Sequence, residues 1–207
     1  MIDRHLQPVL KLVLQPIARR LIGAGIGADQ ITLAGFGAGL VATALLALNL
    51  PQAGLAFILL NRILDGLDGA VARLTGPTDR GAFLDIAADF LFYALVPLGF
   101  AIADPEQNAL PAAVLIASFI GTGSSFLAFA TIAAKRGQRA EDFPAKGIYY
   151  LGGLTEGAET IAFFALICLW PAWFPQLALI FAALCAVTTA MRWRRGWEEF
   201  GPVKNEG

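Results

Sequence analysis

Four aspartates lie close together in one short stretch of an otherwise apolar chain: Asp65, Asp68, Asp85 and Asp89. The stretch reads NRILDGLDGAVARLTGPTDRGAFLDIAADF and occupies residues 61–90, between two strongly apolar segments. Because charged side chains are costly in lipid, a cluster of this kind predicts a functional site. Whether the four side chains can meet depends on the helices that carry them.

The composition is that of an integral membrane protein. Hydrophobic residues make up 57% of the 207 residues and charged residues only 15%, and the mean hydropathy is +0.65. Residues 30–61, 107–134 and 160–191 contain no Asp, Glu, Lys or Arg. A helix needs about 20 apolar residues to span a bilayer. We therefore expect an all-α integral membrane protein.

Turn signals divide the apolar sequence into six predicted transmembrane helices, at residues 31–48, 53–73, 81–103, 109–134, 148–170 and 175–191. They form a domain at 28–195, followed by a cytosolic tail at 196–207. Residues 1–27 have spread charges and no signal-peptide pattern, and we interpret them as an amphipathic segment on the membrane surface. An ordinary cytosolic lead-in is the alternative for these residues.

The distribution of basic residues predicts the orientation of the helices. If the N-terminus is cytosolic, all 15 Lys and Arg residues fall on the cytosolic side. Arg62, Arg73 and Arg80 are then assigned to the connection between the second and third helices, and another group follows the fourth helix. Both termini are predicted to be cytosolic, in a cytoplasmic (inner) membrane with the active site facing the cytosol.

The second and third predicted helices should bring the four carboxylates to overlapping depths in the cytosolic half of the bilayer, because they are antiparallel and each residue rises about 1.5 Å. Asp65 and Asp68 share one helix face at i, i+3, and Asp85 and Asp89 share another at i, i+4. Such a group of like charges requires a cation. Divalent ions with oxygen ligands fit best, and two Mg²⁺ or Mn²⁺ ions could hold a diphosphate.

Small residues near the aspartates, Gly69, Ala72 and Gly81, leave room for a ligand, and Arg73 supplies a planar donor for phosphate. A divalent-cation transporter that uses the same carboxylates is the alternative. It would need a polar path through the outer half of the second and third helices. The outer half of the third helix reads FLFYALVPLGFAIA, which is almost wholly apolar.

At these positions the sequence resembles the CDP-alcohol phosphatidyltransferase family. The family pattern is Asp-x-x-Asp-Gly-x-x-Ala-Arg, seven or eight residues, then Gly-x-x-x-Asp-x-x-x-Asp. The fixed positions of this pattern are all present: Asp65, Asp68, Gly69, Ala72, Arg73, Gly81, Asp85 and Asp89. Six helices with both ends in the cytosol are also typical of the family.

The resemblance implies a reaction in phospholipid biosynthesis. A CDP-linked lipid donor, CDP-diacylglycerol in many members, gives its phosphatidyl group to a polar alcohol acceptor and releases CMP. Asp65, Asp68 and Asp85 would be metal ligands; Asp89 would lie at the metals as a further ligand and act as general base. Gly69, Ala72, Arg73 and Gly81 would form the nucleotide and diphosphate site. Membrane lipid surrounds such an enzyme, many members are homodimers, and no nucleic-acid partner is expected.

The first predicted helix departs from the family pattern. Many members have Pro-Asn-x-x-Thr there, whereas this chain has Ala-Asp-Gln-Ile-Thr at residues 28–32. Thr32 matches and is expected to contact the nucleotide. Asp29 replaces the asparagine and is expected to serve as the N-cap of the helix.

Two glutamates in the fifth predicted helix, Glu156 and Glu159, are expected at membrane depth on one helix face. Because buried carboxylates need partners or a polar cavity, we interpret them as one wall of the pocket for the acceptor alcohol. A polar contact that stabilises the bundle, or a cytosolic overhang of the helix, remains open as an alternative. The sequence does not identify the acceptor, which could be glycerol phosphate, inositol or its phosphate, serine or a choline-type alcohol.

Overall fold

The computed structural model describes residues 3–137 and 153–201, with side chains from Val13 onward. All regular structure in these residues is helical. The helices are α1 Asp3–Gly23, α2 Ala28–Ala47, α3 Pro51–Thr75, α4 Asp79–Ala103, α5 Pro105–Lys135, α6 Gly157–Leu169 and α7 Phe174–Glu199, and a short 3-10 helix, Pro171–Trp173, precedes α7. The all-α class predicted from the sequence is confirmed.

Four helical stretches of the described residues are long and apolar enough to cross a membrane: α2, α4, α5 and Pro171–Glu199. α6 is also apolar but has only 13 residues. α3 has 25 residues, and Arg62, Asp65 and Asp68 interrupt its apolar character. Because charged residues are costly at membrane depth, these three residues of α3 are candidates for a functional site.

The boundaries of α2, α3, α4 and α5 lie within four residues of those predicted from the sequence. The fifth predicted helix is wrong at its start. Residues 153–156 are not helical and α6 begins at Gly157, while residues 148–152 lie outside the described part of the chain. α7 also continues to Glu199, past the predicted end of the sixth span at residue 191. The prediction followed apolar residues only, so it did not include the polar C-terminal end of α7.

α2 lies against both α3 and α4, and glycines allow this close approach. A Cβ atom added to Gly39 of α2 would lie 2.7 Å from the Phe92 ring of α4, and one added to Gly99 of α4 would lie 2.9 Å from the Thr43 carbonyl oxygen. A side chain at Gly39 would displace the Phe92 ring, and one at Gly99 would push the α2 backbone away. α2 therefore fixes α4, and with it half of the aspartate cluster.

Aromatic side chains join α4 to the C-terminal half of the chain. Phe100 stacks on Phe174 with ring centroids 4.5 Å apart, and Phe163 stacks on Phe181 at 4.3 Å. Phe92 and Phe164 meet edge to face, and both are fully buried. Buried aromatic rings contribute much of the apolar area of such a core. This cluster packs α4 against α6 and α7.

One end of the bundle gathers the polar helix termini. The Arg80 guanidinium, at the start of α4, lies 2.6 Å from the Asp29 carboxylate at the start of α2. At the ends of α5 and α7, Arg136 donates hydrogen bonds to the carbonyl oxygens of Glu199 and Phe200, at 3.2 and 2.8 Å. The turn between α3 and α4 belongs to the same end. The aspartates therefore lie in the half of the bundle nearest to these termini.

Candidate active site

A tight turn sets the register of the four aspartates. Gly76 ends α3 with a φ of 98°, and the Thr78 hydroxyl caps α4 by accepting a hydrogen bond from the Gly81 amide at 3.0 Å. Counted from this turn at about 1.5 Å per residue, Asp68 and Asp85 lie at roughly 10 Å and Asp65 and Asp89 at roughly 15 Å. The two pairs therefore face each other at two levels.

α3 and α4 separate after the turn, so their backbones make little direct contact, and α2 lies against both. The space between them is a cleft lined by the four aspartates together with Thr32, Phe36, Asn61 and Arg62. Residues of both helices and of α2 therefore border one shared space. The convergence predicted from helix spacing is present.

Asp65, Asp68 and Asp85 form the part of the cleft best suited to a divalent ion. One carboxylate oxygen from each lies within 4.8 Å of the other two. Oxygen ligands of one Mg²⁺ lie about 2.1 Å from the ion and hence no more than about 4.2 Å from each other, so small side-chain rotations complete the geometry. Three carboxylates are also the hard donor set that Mg²⁺ and Mn²⁺ prefer. The residues present therefore fit the implied metal.

Thr32 supports this group from α2. Its hydroxyl donates to Oδ2 of Asp68 at 2.6 Å and also lies 3.1 Å from the Ala28 carbonyl oxygen. Both Thr32 and Asp68 are buried. The threonine predicted to contact the nucleotide thus lies in the site, and the contact that the structure shows is to a carboxylate. Its contact with a nucleotide stays a prediction.

Asp89 has a different environment from the other three aspartates. Its Oδ1 accepts a hydrogen bond of 2.7 Å from Nη2 of Arg62. Nη1 of the same guanidinium lies 3.7 Å from Oδ2 of Asp65. Asp89 does not belong to the set of three converging oxygens. The geometry thus places Asp89, which is hydrogen-bonded to Arg62, beside the three carboxylates that converge.

Two expectations about charged residues need correction. Asp29 is not the N-cap of α2, because Gly27 occupies that position and its amide donates to the Gln30 side chain at 3.0 Å. Asp29 instead pairs with Arg80. Arg62 does not belong to the connection between helices, because it lies within α3 and reaches across to α4.

The remaining motif residues lie at the polar end of the cleft. A Cβ atom on Gly69 would lie 3.1 Å from Nη1 of Arg73, so the arginine folds over the glycine. A Cβ atom on Gly81 would lie 3.1 Å from both the Asp29 carboxylate and the Thr78 hydroxyl. Ala72 is half-buried and Arg73 is exposed. Their predicted role in binding the nucleotide and diphosphate stays a prediction.

A second cavity, of about 250 Å³, lies between α4, α5, α6 and α7. Its wall combines aromatic rings with polar side chains: Phe90, Tyr93, Phe119, Thr122, Phe126, Thr155, Glu156, Thr160 and Arg192. Glu156 lies at this wall, and its Oε1 accepts a hydrogen bond of 3.0 Å from the Gly153 amide. Glu159 lies in the first turn of α6 and is not among the lining residues. Of the two glutamates, the structure thus places one at a cavity.

Sequence reasoning missed Arg62 as a residue of the site. The available signal was its spacing, since Arg62 precedes Asp65 by three residues and so shares its helix face. The contact with Asp89 could not be read from that spacing, because it depends on how α3 and α4 face each other. Asn61 and Tyr93, which contact Arg62, were missed for the same reason.

The fold and the carboxylate cleft together define a class of membrane enzyme, and comparison with known proteins identifies it. Residues 26–191 match the CDP-alcohol phosphatidyltransferase family. The chain belongs to that family, whose members are transferases, and this favours the enzyme over the cation transporter. The resemblance inferred from the aspartate motif is confirmed.

The chain is 56% identical over 192 residues to Inner membrane protein YnjF of Escherichia coli (strain K12), covering 93% of each chain. It is 33% identical over 117 residues to archaetidylinositol phosphate synthase of Pyrococcus horikoshii, covering 56% of this chain and 62% of that protein.

Two solved structures of phosphatidylinositol phosphate synthase from Mycobacterium tuberculosis have the same fold. One is a complex with manganese and citrate, at a TM-score of 0.65 and 24% identity, covering 89% of this chain and 88% of that one. The other has CDP-DAG bound, at a TM-score of 0.64 and 24% identity, covering 89% and 94%.

Proposed function

We propose that this protein is an enzyme of phospholipid biosynthesis that transfers a phosphatidyl group from CDP-diacylglycerol to the hydroxyl of a small polar alcohol and releases CMP. The observation that carries the proposal is the cleft in which three carboxylates converge and a fourth lies beside them. The same two helices carry the complete family motif. The proposal thus rests on the chemistry of this cleft as well as on family membership.

The structural relatives support the donor and the metal. One has CDP-DAG bound and another has manganese bound, each in a protein with this fold. In the present chain, Asp65, Asp68 and Asp85 would hold Mg²⁺ or Mn²⁺. When bound, a divalent ion neutralises charge on the diphosphate and makes CMP a better leaving group. The sequence-based expectation of two ions, with Asp89 as a further ligand, stays a prediction that metal stoichiometry will test.

The protein's own residues then provide positioning and proton transfer. Asp89 accepts the proton of the acceptor hydroxyl while the oxygen of that hydroxyl forms a bond to the phosphorus that carries diacylglycerol. The bond from that phosphorus to the oxygen shared with CMP breaks, and CMP leaves with the bonding electrons. Gly69, Ala72 and Gly81 leave room for the nucleotide and diphosphate, and the exposed Arg73 guanidinium is suited to bind phosphate oxygens.

The cavity of about 250 Å³ is the site that we assign to the acceptor. Tyr93 connects it to the cleft, because Tyr93 lines the cavity and its hydroxyl lies 3.4 Å from Nη1 of Arg62. Glu156 provides a carboxylate at the wall, which can accept a hydrogen bond from an alcohol or an ammonium group. Glu159, in the adjacent turn, would support that wall.

The membrane arrangement that fits the described helices has α2 to α7 as six spans, with α1 on the cytosolic surface. α1 packs Leu14 and Ala18 against α3 and leaves Val13 and Ile17 exposed, as expected for a helix that also contacts lipid. Both termini and the open end of the cleft would face the cytosol. A homodimer, which the resemblance implies for many members, stays a prediction.

Purified protein incubated with radiolabelled CDP-diacylglycerol and a panel of acceptors provides the test. We expect lipid product and CMP with one class of acceptor, only when Mg²⁺ or Mn²⁺ is present. Asp89→Asn should lower transfer at least about 100-fold, because general-base catalysis contributes that much or more. Thermal stabilisation by CDP with Mn²⁺ should persist in this variant and show that it is folded.

Three results would contradict the proposal. Full transfer in excess chelator would exclude the metal-dependent reaction. Full transfer by Asp89→Asn would show that Asp89 is not the general base. Stabilisation by metal alone, with no additional effect of CDP, would exclude a nucleotide-linked donor.

A further inference from the structure

Arg62 is a cation built into the aspartate cleft, three residues before the first aspartate of the motif and outside the motif itself. Its guanidinium lies 2.7 Å from Asp89 and 3.7 Å from Asp65, and 16% of its side chain is exposed. An arginine so little exposed is energetically costly unless its charge is paired and its donors are bound. This position therefore requires a specific role.

Contacts from three helices hold the guanidinium in place. Nε donates to the Asn61 side chain at 2.6 Å, and Asn61 in turn donates to the Gly35 carbonyl oxygen of α2 at 2.8 Å. The Phe92 ring of α4 lies against the guanidinium, with its centroid 4.6 Å from Cζ. Asn61 and Phe92 are both buried. The arginine is thus fixed on α3 by parts that do not depend on Asp89.

The pairing with Asp89 is one-sided. Oδ1 binds Nη2 of Arg62, whereas Oδ2 accepts no hydrogen bond from the part of the chain that the structure describes. Such a carboxylate has a fixed orientation and one oxygen available to a ligand. The other three aspartates, by contrast, converge on one another.

We propose that Arg62 is the positioning residue of the reaction: it holds Asp89 beside the metal ligands and presents Oδ2 of Asp89 to the acceptor hydroxyl. This inference rests on the proposed function, in which Asp89 accepts the proton. Without the guanidinium, Asp89 can rotate toward the three-carboxylate group and take part in binding a cation there. Lysine cannot replace all of these contacts, because a single ammonium group lacks the planar fork that reaches Asn61, Tyr93 and Asp89 together.

The test separates positioning of the base from binding of the donor. Arg62→Gln should lower kcat about 100-fold and change KM for CDP-diacylglycerol by less than about twofold, since misplacement of a catalytic group costs that much. Thermal stabilisation by CDP with Mn²⁺ should not fall below the wild-type level. Arg62→Lys should retain about a tenth of the wild-type kcat, because it keeps the charge and loses the fork.

Chemical rescue gives a second readout. Guanidinium ion added to Arg62→Ala should restore part of kcat, and it should restore nothing in Arg62→Ala combined with Asp89→Asn. Arg194→Gln is the matched control, because Arg194 also pairs with a carboxylate, Glu198 at 2.8 Å, but is 82% exposed at the end of α7. That variant should retain wild-type kinetics.

Two outcomes would overturn the inference: wild-type kcat in both Arg62→Gln and Arg62→Lys, or a kcat loss accompanied by an equal loss of CDP and Mn²⁺ stabilisation. If Arg62→Gln does not fold, the kcat of Arg62→Lys and the rescue experiment test the inference instead. Failure of the proposed function is distinguishable, because the wild type would then show no metal-dependent transfer or Asp89→Asn would retain full transfer, whereas failure of the present inference leaves the wild type active and Asp89→Asn inactive.

Discussion

Asp68 is the aspartate of the cleft whose surroundings define its role most clearly. One of its oxygens already accepts a hydrogen bond from the Thr32 hydroxyl at 2.6 Å, and the side chain is buried between α2 and α3. A hydrogen bond of this kind fixes which oxygen is directed toward a metal. We therefore expect Thr32 to act through Asp68, whether or not it also contacts the nucleotide.

Replacing Thr32 by valine tests this role. Thr32→Val should weaken Mn²⁺ binding about tenfold, because removal of a hydrogen-bond partner of a ligand commonly costs 10- to 100-fold in metal affinity. Thr32→Ser should bind Mn²⁺ as the wild type does. The measurement is a Mn²⁺ titration followed by electron paramagnetic resonance of the free ion.

Thr43→Val provides the matched control for that titration. Thr43 is also a buried threonine of α2, but its hydroxyl bonds the Gly39 carbonyl oxygen of its own helix, far from the aspartates. Unchanged Mn²⁺ affinity in Thr32→Val, with weakened binding of CDP, would assign Thr32 to the nucleotide instead.

The individual residues show what sequence spacing can and cannot provide. Helical periodicity places Asp65 and Asp68 on one face and Asp85 and Asp89 on another, and the structure brings both faces to one cleft. Periodicity does not show that Asp89 pairs with Arg62, since that contact depends on the angle between two helices. The family motif does not include Arg62, so the resemblance could not supply it either.

At the scale of elements, the segment before α6 differs most from the sequence-based expectation. A helix through residues 153–156 was predicted because a later start left too few apolar residues to span the membrane. The structure instead has an irregular segment, in which the Leu154 amide donates to the Thr188 hydroxyl at 3.1 Å and Thr155 bonds the same hydroxyl at 3.1 Å. The Thr188 side chain of α7 therefore binds a backbone amide that a helix would satisfy internally.

This irregular segment gives Glu156 its position at the second cavity. We expect Glu156→Gln to raise KM for the acceptor about tenfold and to leave KM for CDP-diacylglycerol unchanged, because hydrogen bonds to charged groups contribute about 1.5–3 kcal/mol. Glutamine can still accept the hydrogen bond from the Gly153 amide, so the segment should keep its conformation. Initial rates at varied acceptor concentration provide the measurement.

Glu198→Gln is the control for this prediction, since Glu198 is exposed and pairs with Arg194 on the surface of α7. If Glu156→Gln had the wild-type KM for every acceptor in the panel, the cavity would not be the acceptor site. A larger KM for the donor would place Glu156 at the nucleotide instead.

The helices that the sequence predicts well are long and apolar, and turn residues bound them. α2, α4 and α5 meet this description, and their bounds are close to the predicted ones. α6 is short, and its start depends on hydrogen bonds to α7, which a local pattern cannot contain. α7 ends in a polar extension that the hydropathy of the span does not predict.

For the whole molecule, exposed tryptophans mark both ends of the bundle. Trp170 and Trp173 are exposed before α7, and Trp193 and Trp197 are exposed near its end. Trp173 and Trp197 are separated by about 36 Å of helix. A hydrocarbon core is about 30 Å thick, and tryptophan favours its two boundaries. The molecule therefore fits a bilayer with the tryptophans at both interfaces.

The charges distinguish the two ends. Arg73, Arg80, Lys135 and Arg136 lie at the end that holds the α3–α4 turn and the end of α7, whereas the turns at the other end carry no Lys or Arg. Positive residues favour the cytosolic side. The aspartates lie in the half of the bundle nearest the basic end, so under the proposed function this orientation predicts release of CMP on the cytosolic side.

Cysteine labelling tests that orientation with two matched variants. Glu106→Cys lies at the start of α5 and Glu198→Cys near the end of α7, and both positions are exposed. In intact cells we expect a membrane-impermeant maleimide to label Glu106→Cys and to leave Glu198→Cys unlabelled, while permeabilised cells should show both. The native Cys168 and Cys185 are buried, so the wild type gives the background. Labelling of Glu198→Cys in intact cells would place the aspartates near the outer face and contradict the proposed orientation.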